Sequence, residues 1–338
     1  MKKKVIVIGG GVTGMEAASC LAQNDLEVTL LEKDCCPGGH LKDWDRLFPT
    51  KRPGKEVLEH LTSQLDGKVN LMTNAGIENI LPDGGVFSVF LKGGKSLSAD
   101  ALLLATGYDL FDAHNKEEYG YGIYDNVITS SDLEEWFIEG KEILTNDGRT
   151  PGRVGIIHCV GSRDEKAGNL YCSKVCCITG VKQAIEIREK LPETEIYNFY
   201  MDLRMYDRNF EELYMEAQLK HNVNFIRGRL SEASENADGS IVLKVEDTLT
   251  GKPLKMTVDI LVLLVGFIPR QETKDITRML GLSIGNDGFV NIGDVHTRTN
   301  QSSLPGVFVA GAVSGPKCIA SSITDARAAA IQIVEYLR

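Results

Sequence analysis

Four of the eight cysteines in this 338-residue chain fall in one stretch, Cys159-x12-Cys172-x3-Cys176-Cys177. Thiols at this density bind metal, exchange disulfides or pack as small apolar side chains. A structural zinc site would take two C-x2-4-C pairs, and adjacent cysteines sit awkwardly around one tetrahedral ion. An iron–sulfur cluster presents several irons, so neighbouring thiolates need not share a metal. The alternative left open is a set of buried structural thiols with one redox disulfide among them. The set has no C-x-x-C pair, which speaks against thioredoxin-reductase chemistry. A helical pattern (Ile178, Val181, Ile185, Leu191) follows directly and would point its positive end at an anionic group.

A second constellation stands near the start of the chain. Gly9-x-Gly11-x-x-Gly14 lies between the β-branched run Val5 to Ile8 and a helical pattern (Val12, Met15, Ala18, Leu21). Glycines there allow a tight turn, close approach of a pyrophosphate and tight packing of helix on strand, and the helix N-terminus offers free N–H groups to phosphate. Glu32, at the end of the next strand (Glu27 to Glu32), is placed to accept ribose hydroxyls. These residues predict a dinucleotide site and leave FAD and a nicotinamide both open. Cys35-Cys36 stands just beyond; adjacent cysteines rarely form a relaxed bridge, so unpaired thiols are expected. The six histidines lack H-x3-H spacing, and no histidine metal site is expected.

The elements that position these residues read as α/β. Short alternating segments from Val69 to Lys95 suit a small antiparallel excursion, and Asp100 to Gly107 is a buried strand ending at a glycine turn. A polar stretch from Asp112 to Arg153 looks like a linker with one short helix around Ser131 to Ile138. Val154 to Ile157 opens a second domain that closes on the strand Asp259 to Val265; Gly306 to Gly311 is a further strand, before a terminal helix from about Ser321 to Leu337. The expected organisation is a Rossmann-type domain over 1–150 and 266–338 with a second, Rossmann-like domain, 151–265, inserted.

With 37 Lys and Arg against 47 Asp and Glu the net charge is −10, which argues against non-specific nucleic-acid binding. The longest apolar run, Ile260 to Ile268, is far below the roughly 18 residues of a membrane span. Lys2-Lys3-Lys4 precedes only four apolar residues, so no signal peptide is expected. Reduced thiols and a cytoplasmic location are the corresponding expectation.

Further motifs carry a resemblance. Gly38-Gly39, Ala105-Thr106-Gly107 and Gly311 match positions that border FAD in the two-dinucleotide-binding-domain flavoproteins, the fold of thioredoxin and glutathione reductases, with Ala312 in place of the usual aspartate. A backbone N–H is expected to substitute for its carboxylate. After Val154-Gly155-Ile156-Ile157, where such proteins bind NAD(P)H, His158-Cys159-Val160-Gly161-Ser162-Arg163-Asp164 replaces the glycine motif. That segment, with Tyr171-Cys172-Ser173-Lys174-Val175-Cys176-Cys177, Lys182-Gln183-Ala184, Met201-Asp202-Leu203-Arg204, Phe225-Ile226-Arg227-Gly228-Arg229 and Val245-Glu246-Asp247-Thr248, resembles the A-subunit family of heterodisulfide reductases. That family includes flavoprotein subunits of quinone-interacting membrane-bound oxidoreductase complexes.

The resemblance implies FAD at Gly9, Gly11, Gly14, Glu32, Gly38, Gly39, Thr106, Gly107 and Gly311, and a [4Fe-4S] cluster near the flavin on Cys159, Cys172, Cys176 and Cys177. It implies a catalytic Lys182 approaching the flavin ring, against the alternative of an exposed lysine, and Lys317 beside the flavin, with Cys318 in place of the common aspartate. The chain has no ferredoxin-type C-x2-C-x2-C-x3-C run and so resembles short forms of the family. The implied activity is electron transfer among flavin, cluster and partner subunits. The implied partners are heterodisulfide reductase B- and C-like iron–sulfur subunits or a quinone-interacting membrane complex, with a homodimer open. The competing functions are a stand-alone NAD(P)H-dependent flavin disulfide reductase and a non-enzymatic cluster-bearing scaffold.

Overall fold

The computed structural model describes residues 2–338. The described residues divide into two units: unit 1 comprises residues 2–42, 54–109 and 268–338, and unit 2 comprises residues 43–53 and 110–267. The boundary expected near residue 150 is therefore corrected to 109/110. The polar stretch from Asp112 to Arg153 is no linker: its Val127–Thr129 strand pairs in parallel with Ile260–Val265 and adds an edge to the sheet of unit 2.

Unit 1 is built on five parallel strands in the spatial order Val307–Val309, Ala101–Leu104, Lys4–Ile8, Glu27–Leu31 and Asn70–Met72. The central strands are buried on both faces, which is why they read as unbroken apolar runs rather than alternating ones. The helix Val12–Ala22 packs against the terminal helix Ile319–Leu337, which starts two residues earlier than the pattern suggested. The antiparallel excursion is present as strands Ile77–Asp83, Val86–Leu91 and Ser96–Ala99, and its inward residues Ile80, Phe87, Val89 and Leu91 join the core of this unit.

Unit 2 has a seven-stranded sheet in the order Val127–Thr129, Ile260–Val265, Arg153–Val160, Glu195–Tyr200, Asn224–Glu235, Ile241–Asp247 and Lys252–Val258. The first five run parallel, and the last two extend it as an antiparallel meander. The helix Ser130–Glu139 is fixed at its start by a capping box between Thr129 and Asp132. Its Leu133 and Phe137 share one buried core with Val181 and Ile185 of the helix Cys176–Lys190, each burial removing a side chain worth roughly 1.5–3 kcal/mol from water. Among the described residues no helix is long and apolar enough to cross a membrane.

Candidate functional site

The dinucleotide turn of unit 1 shows why each glycine is required. Gly9 has φ +107°, and a Cβ on Gly14 would lie 1.8 Å from the Gly9 carbonyl oxygen. Gly10 donates its N–H to Glu32 Oε2 at 2.8 Å, and a Cβ there would reach that carboxylate at 2.7 Å. Gly11 is different: its φ of −74° suits any residue, and a Cβ would meet only Gly39 Cα at 3.9 Å. It guards open space beside the uncapped N-terminus of the helix Val12–Ala22, the arrangement a pyrophosphate needs. Gly38 and Gly39 lie against this turn, with Gly38 N–H donating to the Gly10 carbonyl at 2.8 Å. Glu32 is buried and accepts a second N–H, from Asp34 at 2.8 Å, leaving lone pairs for hydroxyl donors.

Thr106 and Gly107 follow the strand Ala101–Leu104; Thr106 is buried against the Thr273 hydroxyl at 2.6 Å, and Gly107 has φ +76° facing open space. At Gly311, φ is +77° and a Cβ would strike Thr13 Oγ1 at 2.2 Å. Next to Ala312, which stands where a carboxylate was expected, the Gly311 N–H donates to Asp325 Oδ2 at 2.7 Å. Asp325 comes from the terminal helix and also holds the Lys317 ammonium at 2.6 Å, while Lys317 donates to Ser314 Oγ and the Gly311 carbonyl. Sequence reasoning missed Asp325 because one aspartate on a helix reads as solvent-facing. Beside Lys33 the same unit has a cleft of about 770 Å³, lined also by Gly76, Ile77, Lys92, Glu272 and Arg278. Burial pushes the Glu272 carboxyl up, against Lys33 and Arg270.

The cysteine set belongs wholly to unit 2. The strand Arg153–Val160 slips register between Ile157 and Val160, and Cys159 in this irregularity has φ +62°, a conformation few non-glycine residues adopt. Arg163 and Lys174, at φ +53° and +60°, bound the loop that carries Cys172. Lys116 and Arg229 pin that loop through the buried Asp164, at 2.8 and 3.2 Å, and Ser173 accepts the Phe267 N–H at 2.8 Å. Cys176 and Cys177 form the first turn of the helix Cys176–Lys190, which starts two residues before the expected Ile178. Its N-cap Val175 provides no side-chain cap, so the helix N-terminus is open towards the thiols.

All four cysteines are unpaired thiols. Burial pushes the Cys159 thiol up to about 12, with Cys177 and Cys172 adding to the shift. Burial likewise lifts Cys176 well above its usual value, reinforced by the other three cysteines. With their values raised by burial, the Cys159 and Cys176 thiols stay protonated unless cations displace their protons. Lys174 N–H donates to Cys172 Sγ at 3.3 Å and Arg204 N–H to Cys177 Sγ at 3.4 Å, the kind of bond that stabilises sulfur ligands of a cluster. Arg163 is held against Asp202 at 2.7 Å and helps offset negative charge at Cys159. Among the described residues no three His, Cys, Asp or Glu side chains converge as they would on one metal ion. A cubane asks something else of its thiolates, one iron each. His158, beside the set, is held near 4 by burial and bonds Asn198 at 2.8 Å, so it is a neutral core histidine.

Lys182 is not exposed: its side chain is 1% accessible. Its ammonium lies 2.6 Å from Glu134 Oε1 and 2.8 Å from Glu186 Oε2, and 5.3 and 5.7 Å from the ring centres of Trp44 and Phe137. Gln183 Nε2 and the Asp45 N–H complete the shell of Glu134, at 2.7 and 3.1 Å. Neither Glu186 oxygen has an aligned donor, and Arg46 stands 3.9 Å away. Burial, against the pull of Lys182 and with Glu134 adding to it, pushes the Glu186 carboxyl up to about 7. The i,i+4 spacing of Lys182 and Glu186 was visible in sequence; Glu134, from another helix, was not.

Residues 1–124 and 177–332 match the model of the pyridine nucleotide-disulphide oxidoreductase family. The chain is 33% identical to the second iron-sulfur A-subunit of CoB–CoM heterodisulfide reductase in Methanopyrus kandleri, an alignment covering 99% of this chain and 64% of that protein. It is 40% identical to the iron-sulfur A-subunit of the CoB–CoM heterodisulfide reductase of Methanocaldococcus jannaschii, over 97% of this chain and 63% of the relative. The chain thus spans just under two thirds of the length of these curated relatives. Among solved structures it is similar to thioredoxin reductase of T. acidophilum, at 18% identity, 99% of each chain and a TM-score of 0.68. The similarity to Lactococcus lactis thioredoxin reductase has a TM-score of 0.69 at the same identity and coverage. These structures bear out the two-dinucleotide-binding flavoprotein fold, and the relatives bear out the resemblance to the A-subunits of heterodisulfide reductases.

Proposed function

The chain belongs to the pyridine nucleotide-disulphide oxidoreductase family, and its relatives at 33–40% identity are A-subunits of heterodisulfide reductases; from that premise we propose that it is an electron-transfer protein that binds FAD in unit 1 and a [4Fe-4S] cluster in unit 2. The observation that carries the reading is the cysteine site itself: a strained Cys159 on an irregular strand, Cys172 on a pinned loop, and Cys176 and Cys177 on an open helix N-terminus. An ordinary core needs none of this strain. FAD supplies the exchange between two-electron and one-electron chemistry, and the cluster supplies single-electron transfer.

The residues of the chain then have distinct work. Gly9, Gly11 and Gly14 with the helix N-terminus receive the pyrophosphate, Glu32 the ribose, and Gly38, Gly39, Thr106, Gly107 and Gly311 the backbone path along the cofactor. Asp325 fixes Gly311 and Lys317. Lys182 enters as a charge already matched within unit 2 by Glu134 and Glu186. The partners are heterodisulfide reductase B- and C-like iron–sulfur subunits, or a quinone-interacting membrane complex reached through partner subunits from the cytoplasm.

Anaerobic purification tests this reading, with an absorption spectrum, an iron assay and an NADH oxidation assay on the same sample. FAD with about four irons per chain and no NADH oxidation supports it. NADH oxidation without iron would assign a stand-alone reductase, and a cluster without flavin would assign a scaffold.

A further inference from the structure

Cys35 and Cys36 take no part in either site, yet they are the two exposed cysteines among the described residues, with sulfurs 3.9 Å apart. They sit mid-way in a loop tied at both ends to the dinucleotide turn. On one side Asp34 donates its N–H to Glu32 Oε1 at 2.8 Å and accepts the Asn74 N–H at 2.9 Å. On the other, Gly38 donates to the Gly10 carbonyl and bridges to Gly11. The Lys42 stem packs over Gly38, where a Cβ would meet its Cγ at 2.7 Å. The Cys36 thiol is held above its usual value chiefly by its hydrogen bond with Cys35, against the attraction of Lys42. Among the described residues no third ligand converges on the pair, and sulfur exchange is a chemistry that two adjacent exposed thiols offer.

We propose that Cys35 and Cys36 form a thiol–disulfide exchange site for small-molecule disulfides, and that its oxidation loosens the grip of the turn on the dinucleotide. One thiolate attacks a sulfur of R–S–S–R, forming a mixed disulfide and expelling RS⁻, which takes up the proton lost by the attacking thiol. The second thiolate then attacks the cysteine sulfur of the mixed disulfide, and the second RS⁻ leaves with the other proton. The dithiol gives up two electrons, and one disulfide becomes two thiols. Consecutive Cα atoms are about 3.8 Å apart, shorter than the roughly 4.4–6.8 Å of relaxed bridges, so this one forms only against an oxidised pool and reverses when the pool is reduced. Closing it rearranges the backbone at residues 35 and 36, next to the Asp34 N–H that orients Glu32. The effect on the cofactor rests on the FAD reading above; the exchange chemistry does not.

The test uses the full FAD-loaded chain under anaerobic conditions, with oxidised glutathione as the probe, followed by alkylation and trypsin. Cleavage after Lys33 and Lys42 releases Asp34–Lys42, a peptide containing both cysteines and no other. The expected peptide is lighter by two hydrogens, and FAD binds about tenfold more weakly, as for one lost hydrogen bond to a carboxylate. Dithiothreitol restores both, and Cys35→Ser/Cys36→Ser keeps its FAD affinity under oxidation. A peptide that stays reduced, or carries glutathione without bridging, overturns the exchange site. A bridged peptide with unchanged FAD affinity, or an equal loss of FAD in the double serine variant, overturns the coupling. A reduced protein that never retains FAD fails the cofactor reading instead, while the peptide mass still reports on the thiols.

Discussion

Lys182→Met removes the cation from a cluster that buries two carboxylates. Methionine matches the lysine stem in length, so little packing is lost and the change is mainly electrostatic. Glu134 keeps donors from Gln183 and Asp45, but Glu186 is left without an aligned donor at 2% side-chain exposure. Breaking a buried pair from one side costs about 3–5 kcal/mol, because the remaining charge stays desolvated. For a unit of this size that corresponds to a fall in melting temperature of about 6–20 °C. The assay is built into the chain: both tryptophans, Trp44 and Trp136, belong to unit 2, so tryptophan fluorescence follows the unfolding of that unit. Lys182→Met/Glu186→Leu should recover the part of the loss owed to Glu186, while Glu134, still buried but with donors from Gln183 and Asp45, keeps the remainder. A loss below about 1 kcal/mol in the single variant at pH 7 would refute the reasoning, because a lysine so cheaply removed cannot be holding two buried carboxylates.

Three further outcomes follow from the same geometry. Glu186 has a folded value of about 7, above its unfolded one, so the stability it contributes is complete below about pH 4.5 and is lost as pH rises through 7; Glu186→Gln should flatten the unit 2 stability profile in that window, and an unchanged slope would count against the burial argument. Gly11→Arg should leave the apoprotein melting curve in place and abolish FAD binding, whereas Gly14→Ala should destabilise the apoprotein through the Gly9 carbonyl; full flavin content in the Gly11 variant would remove the phosphate assignment. Cys172→Ala should lower the iron content of anaerobic protein and spare FAD, and stoichiometric zinc in the parent protein would contradict the cluster.

How far the sequence reached depends on whether each feature is local. The dinucleotide turn was legible because its constraints act over a few residues: Gly9 needs a positive φ, Gly14 must clear a carbonyl, and the strand and helix flanking them announce themselves by periodicity. The cysteine set was visible as a spacing, and its use as a cluster site is the reading proposed above. The unit boundary was misread because Val127–Thr129 is too short for any periodic signal, yet three parallel pairings place it in the second sheet and carry residues 110–150 with it. Asp325 was missed because one aspartate on a helix reads as solvent-facing, and Glu134 because its partner Lys182 lies 48 residues away on another helix and meets it only in the folded unit. Lys182 shows the consequence most directly. The family resemblance implied a lysine approaching the flavin ring, and its type alone an exposed lysine; the fold supplies a third arrangement, a buried ammonium whose charge is divided between two carboxylates, one of which titrates near neutrality.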